Sequence, residues 1–217
     1  MRIKCDIYYM NTYLPPHLRR IHNENLVGGS IDVMESVPLP LLEMPKPQEK
    51  PIMDNIDRLF NEIEKFPSKD PYKDKTRKNV LQRKGQKIEA MVLGRVRAYD
   101  KKELVNSSAT SSGKYIELEK SLRELMKIHN PNFRYTSIQL NKSVETAWHF
   151  DKGNVGMSYL IAFGKFTGGG VVVKVRKNKE MLINNDHKWL YFDGHNSEHK
   201  SAPSKGVRYA VIFFTKT

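Results

Sequence analysis

The sequence predicts an α+β protein that is mainly β, a sandwich or jelly roll of short strands with its helices packed on one outer face. Three observations predict it. Short apolar or alternating segments recur through the second half of the chain. Glycine turns separate them, at Gly168-Gly169-Gly170 and at Asp193-Gly194. The helix-period segments fall earlier in the chain, so they pack outside the strands rather than between them.

The strands follow in order. Ile88 to Val96 reads as a buried strand ending near Gly94-Arg95. Arg134 to Leu140 alternates and stops at Asn141. A strand or loop carries Trp148 to Asn154, and Met157 to Phe163 is an apolar strand after Gly156. The glycine triplet feeds Val171 to Val175, Trp189 to Phe192 is a further strand, and Val207 to Thr215 is the last. Residues 106–113 read as a flexible loop, a candidate lid. Two helices are expected. One runs from Ile52 to Phe66, with Ile52, Ile56, Leu59, Phe60 and Ile63 on one face and Pro67 closing it. The other runs from Tyr115 to His129 and is stopped by Asn130-Pro131.

The first 87 residues are expected to be an N-terminal extension to a domain spanning 88–217. Ile3 to Tyr9 suits a strand and Gly28-Gly29-Ser30 a turn; His17 and His22 lie in a polar, basic stretch. Five prolines between Pro38 and Pro51 give an extended linker or a strap across the surface. A basic tract follows the first helix: Lys73, Lys75, Arg77, Lys78, Arg83, Lys84 and Lys87. Such a tract is either a solvated charged face or a set of phosphate contacts.

Composition sets limits on function. The formal net charge is +13, which favours an acidic partner, with nucleic acid the commonest and DNA favoured here. No apolar run is long enough to span a bilayer, so no membrane partner is expected. The one cysteine, Cys5, excludes an internal disulfide framework and a cysteine-rich zinc site, and no disulfide-linked partner is expected. With no secretory h-region at the N-terminus, an intracellular location is expected, nuclear or cytoplasmic. Composition does not decide the oligomeric state.

The chemistry centres on Trp148-His149-Phe150-Asp151. On a strand, residues i and i+2 share a face, so His149 and Asp151 aim at one point while Phe150 turns away. A histidine, an aspartate and one more histidine make the facial triad of non-haem Fe(II) oxygenases, which leaves coordination positions open. Two histidines can complete it, His195 and His199. Arg208 follows near the start of the last strand, where a guanidinium can grip a carboxylate with two hydrogen bonds. Taken alone, an H-x-D triplet is common by chance, and two histidines on a basic sheet edge need no metal. The glycine run from Gly164 fits neither a dinucleotide-binding fingerprint nor a P-loop. Alternation places Tyr135, Gln139 and Asn141 on one face of their strand; Trp148 and Phe150 suit a core or a pocket wall.

Read as an ordered series, these segments resemble the Fe(II)/2-oxoglutarate-dependent dioxygenases. The resemblance is carried by Gln139-Leu140-Asn141, by His149 through Ser158, by Gly164 through Gly170 and by Trp189 through Gly194. His199, Pro203, Gly206, Arg208-Tyr209 and Phe213-Phe214-Thr215 complete it. It covers residues 88–217 and implies a double-stranded β-helix core, jelly-roll or cupin-like. It further implies Fe(II), 2-oxoglutarate and O₂. His149, Asp151 and His199 would be the metal ligands and, with Arg208 on the far carboxylate of 2-oxoglutarate, the catalytic set. His195 is left a substrate-facing role. Tyr135, Gln139 and Asn141 would face the cosubstrate. Within the superfamily, H-x-D-x-x-N followed by G-x-S is similar to the TET and J-binding-protein nucleobase oxygenases, which oxidise the methyl group of 5-methylcytosine or thymine in DNA. In that branch the position of Asn154 contacts the target base. The basic tract, together with Lys174, Arg176, Lys177 and Lys179, would then contact the DNA backbone. Two other readings stay open: an oxygenase hydroxylating a protein side chain or small molecule, and a catalytically silent jelly roll that binds nucleic acid.

Overall fold

The computed structural model describes residues 37–69, 87–98, 103–176 and 179–216. The expected strand at Ile3–Tyr9, the turn at Gly28, His17, His22 and the basic tract from Lys73 to Lys84 lie outside them. One large antiparallel sheet dominates. Its strands are β1 (Leu41–Glu43), β2 (Ser68–Lys69), β3 (Ile88–Arg97), β5 (Ser137–Lys142), β6 (Asn154–Phe163), β10 (Trp189–Phe192) and β13 (Tyr209–Lys216). They lie in the order β1-β10-β6-β13-β5-β3-β2, and β4 (Leu104–Asn106) pairs with β3. A smaller sheet runs β11-β8-β9, from His199–Ser201, Val171–Arg176 and Lys179–Ile183. A third pairs β12 (Ser204–Gly206) with β7 (Phe166–Gly168).

Strict alternation divides the large sheet into two faces. Ile138 and Leu140, Tyr159, Ile161 and Phe163, Trp189, and Tyr209, Val211 and Phe213 enter one hydrophobic cluster. That cluster includes α1 (Lys50–Asn61), through Met53, Ile56 and Phe60, and α3 (Ile116–His129), through Leu118, Leu122, Leu125 and Met126. The intervening residues Leu160, Leu190 and Phe192 enter a second cluster with Val171, Val173 and Ile183 of the small sheet. The layers are therefore helices, large sheet, small sheet: a double-stranded β-helix with its helices on one outer face, as expected.

Three expectations are corrected. The segment at 106–113 is no open loop. Ser107 caps the short helix α2 (Ser108–Ser111) by accepting from the Thr110 amide. The Thr110 hydroxyl accepts from the Gly94 amide at 2.7 Å and donates to Glu119 at 2.8 Å, which ties the segment to β3 and α3. Gly94 has φ +84°, and a Cβ there would lie 2.5 Å from the Thr136 carbonyl, so this crossing requires glycine. The first helix spans Lys50–Asn61, shorter than its apolar spacing suggests. Beyond it Phe66 is still buried, against Tyr209, but reaches the core from a loop.

The third correction concerns the boundary at residue 87. The compact unit runs from Val37, because the proline-rich strap docks on the large sheet as β1, opposite Trp189–Tyr191. A buried polar cluster fixes the strap. Glu49 is fully buried, accepts from the Trp189 indole at 2.6 Å and lies 3.0 Å from His129 Nδ1; His129 Nε2 lies 3.0 Å from Glu43. Burial alone would raise the Glu49 pKa, but hydrogen bonds from His129 and Trp189 leave it below the ordinary carboxylate value. Burial would likewise lower that of His129, and its two carboxylate partners reverse the direction. A depressed carboxylate stabilises above its unfolded value of 4.5 and loses that stabilisation as pH falls through its folded pKa. A raised histidine stabilises below 6.5 and loses that stabilisation as pH rises through its folded pKa. Both contributions are complete between those values. Glu49→Ala is expected to lower the unfolding free energy by about 3 kcal/mol there, and by less on either side, in denaturant melts across pH.

Candidate active site

The segment bearing His149 is an isolated bridge beside β11 rather than a full strand. His149 donates its amide to the His199 carbonyl at 2.9 Å, and His199 returns the bond at 3.0 Å. Residues exchanging both bonds across an antiparallel pair point to the same face. Asp151, two residues on, shares that face, and its amide donates to the Gly194 carbonyl at 2.8 Å. The three side chains therefore converge because of backbone pairing. One ligand atom from each of His149, Asp151 and His199 lies within 4.8 Å of the others. The Nε2 atoms of His149 and His199 stand 3.6 and 3.7 Å from the two Asp151 oxygens.

The tautomers follow from the partners. His149 Nδ1 lies 2.8 Å from the Ala147 carbonyl, and His199 Nδ1 lies 2.9 Å from that of Ser197. A carbonyl only accepts, so both Nδ1 atoms carry the proton and both Nε2 lone pairs face the centre. Burial lowers the His199 pKa; Asp151 opposes and His149 adds to it, so burial favours the neutral ring. Gly194 closes one side: a Cβ there would lie 2.9 Å from Asp151 Oδ2.

These residues line a cavity of about 380 Å³ that Gln139, Asn141, Asn154 and Arg208 also line. The Gln139 amide donates to Asn141 Oδ1 at 3.0 Å, and Asn154 Nδ2 donates to Asp151 Oδ2 at 3.4 Å. Arg208 is buried, and desolvation pulls its pKa down to about 10 despite the field of Asp186. Among the described residues its Nε has no hydrogen-bond partner. A Cβ on Gly169 would meet this side chain at 3.1 Å, so glycine makes room for it. Lys200 and Lys216 line the cavity as well. The Lys200 ammonium turns away, over Trp148, so Arg208 and Lys216 are the cations beside Asp151, a balance suited to an anionic ligand.

Other sequence candidates lie elsewhere. Tyr135 precedes β5 and escapes its alternation: its ring packs edge-on against Phe213, and Arg123 of α3 sits over it at 5.7 Å. It thus belongs to the helical side of the large sheet, not to the cavity. His195 is exposed in a turn where Asp193 Oδ1 accepts its amide, apart from the converging groups. Phe150 is 42% exposed, so it is not a core residue. Trp148 stands with the ammonium groups of Lys174 and Lys200 over its ring, at 4.7 and 4.4 Å. Lys177 and the side chain of Arg176 lie outside the described residues, as do Lys73, Lys75, Arg77, Lys78, Arg83 and Lys84. Sequence reading missed Lys216 and the close approach of Gly194 to Asp151, which depend on pairings between distant strands.

No protein-family model and no curated protein matches the chain. Solved structures do. The chain is similar to NgTET1 in complex with 5mC DNA, at 14% identity over 82% of this chain and 71% of that one, with a TM-score of 0.50. It is similar to a 2OG-Fe(II) oxygenase family oxidoreductase from Burkholderia pseudomallei, at 15% identity over 75% and 77%, with a TM-score of 0.46. A Trichoplax adhaerens prolyl hydroxylase bound to a hypoxia inducible factor peptide matches at 12% identity over 82% and 83%, with a TM-score of 0.49. The likeness to NgTET1 is one of fold, the double-stranded β-helix that the sheets already show.

Proposed function

We propose that the chain is an Fe(II)- and 2-oxoglutarate-dependent dioxygenase, with His149, Asp151 and His199 holding the metal. The observation that carries the proposal is the convergence of two imidazole lone pairs and one carboxylate in a cavity that also holds a buried arginine. The donor set fits the ion: mixed nitrogen and oxygen ligands suit iron, and three protein ligands leave positions for cosubstrate and oxygen. Arg208, whose buried Nε has no partner among the described residues, fits the far carboxylate of a dicarboxylate. Iron with 2-oxoglutarate and O₂ supplies the oxidising power to hydroxylate a substrate C–H bond. The protein's own part is to fix both imidazoles through the Ala147 and Ser197 carbonyls, to orient Asp151 through Gly194, and to present a cationic wall. Gly194→Ala would push on the Asp151 carboxylate, and the metal affinity is expected to fall about tenfold in anaerobic titrations.

For the substrate we propose the methyl group of a nucleobase in DNA. The net charge of +13, the lysines around Trp148, and the likeness to a structure solved with 5mC DNA support this reading. Asn154, beside Asp151 in the cavity, is the candidate for contacting the base. A duplex base would have to be flipped to reach it. The test is anaerobic loading with Fe(II) and 2-oxoglutarate followed by oxygen, with succinate measured with and without methylated DNA. DNA-stimulated succinate and an oxidised base found by mass spectrometry are expected. Slow succinate release indifferent to DNA would keep the oxygenase and refute the nucleobase. Absence of cosubstrate binding by folded, iron-loaded protein would refute both.

A further inference from the structure

Arg208 has an unusual set of neighbours for a cavity cation. Its Nη2 donates to Asn185 Oδ1 at 3.1 Å, and Asn185 is fully buried. This partner is neutral. Among the described residues no carboxylate lies within ion-pair distance of Arg208; Asp186 is the acidic group whose field reaches it. Asp186 is held by another residue. Its Oδ1 lies 2.7 Å from His187 Nδ1, and His187 Nε2 lies 2.8 Å from Asp57 Oδ2 on α1. His187 adopts φ +49°, a conformation rarely taken by non-glycine residues. Asp57 is fixed in turn, its Oδ1 accepting from the Gly164 amide at 2.9 Å. The loop is also pinned to β6 at two points: Ala162 donates to the Asn185 carbonyl at 3.1 Å, and His187 donates to the Ala162 carbonyl at 2.9 Å.

We propose that the loop 184–188 keeps Arg208 uncompensated: Asn185 aims the guanidinium through a neutral acceptor while His187 holds Asp186 away from it. The cavity thereby selects a 2-oxo acid that carries a second carboxylate over one that does not. Asn185 is a positioning residue in this arrangement, and the inference rests on the cosubstrate reading of Arg208. The physical reason is competition. A buried guanidinium already paired with a protein carboxylate has little left to offer a ligand, whereas one with an amide partner keeps its charge for the ligand. Arg208 Nε and Asn185 Nδ2, both without a hydrogen-bond partner among the described residues, are the further mark of an incomplete polar set.

The test titrates 2-oxoglutarate and pyruvate into the anaerobic, Fe(II)-loaded full chain by calorimetry, without turnover. Asn185→Asp replaces the amide with a near-isosteric carboxylate. It is expected to raise the 2-oxoglutarate Kd about tenfold or more and leave the pyruvate Kd within about twofold. His187→Ala, which releases Asp186, should raise the 2-oxoglutarate Kd several-fold, and adding Asp186→Asn should restore it. Wild-type 2-oxoglutarate affinity in Asn185→Asp, with loss in Arg208→Met, would overturn the role of the loop while leaving the cosubstrate reading intact. Wild-type affinity in Arg208→Met would overturn that reading itself. Should Asn185→Asp fail to fold, the His187→Ala result decides: an unchanged 2-oxoglutarate Kd overturns the inference.

Discussion

Asp151→Ala is expected to weaken Fe(II) binding by about a hundredfold or more, in anaerobic titration of the purified protein. Asp151 supplies the carboxylate between two imidazoles, and each imidazole faces it through Nε2. Changing a group that merely orients a ligand costs about 10–100-fold in metal affinity, and removing an anionic ligand exceeds that. The fold should survive, because Asp151 lies on an isolated bridge segment rather than in the core. The Gly194 contact is to its backbone amide, which alanine retains. A variant that binds Fe(II) like the wild type would remove the metal assignment. The convergence of half-buried His149 and buried His199 would then need another explanation.

The second large effect is expected at Arg208. Arg208→Met keeps an unbranched side chain against Phe166 and the Gly169 backbone but removes the cation. Truncating one partner of a buried, hydrogen-bonded charge pair costs about 2–5 kcal/mol. The 2-oxoglutarate Kd should therefore rise from about thirtyfold to a few thousandfold. Metal affinity, measured without cosubstrate, should stay near the wild-type value because Arg208 is not among the converging ligand atoms. The contrast between the two variants matters more than either result. Metal loss in one and cosubstrate loss in the other would divide the cavity into two functions.

Much of this arrangement was legible in the residues before any coordinates. The i, i+2 spacing of His149 and Asp151 encodes a shared face, and the structure has that face. The alternation of β5, β6, β10 and β13 is written in their apolar residues, because one face must pack on helices and the other on the small sheet. Local pattern leaves His195 and His199 both open; the resemblance favours His199, and its pairing with His149 across the strands is what brings it to Asp151. Tyr135 failed for a related reason: alternation holds only inside a strand, and β5 begins at Ser137. The proline-rich strap was read as a linker or a surface strap; it forms an edge strand. Its anchor is Glu49, and the buried indole and imidazole that satisfy Glu49 come from positions 189 and 129.

β13 occupies the middle of the large sheet, between β5 and β6. During synthesis those two neighbours emerge first and cannot meet through a partner that has not yet been made. Each then presents unpaired backbone groups and an apolar face for as long as the ribosome takes to deliver residues 209–216. The nascent chain must be kept from self-association over that interval, and closure of the sheet must await long-range pairing, which is slow. Arg208 immediately precedes that strand, so the cavity it lines is among the last features to be assembled.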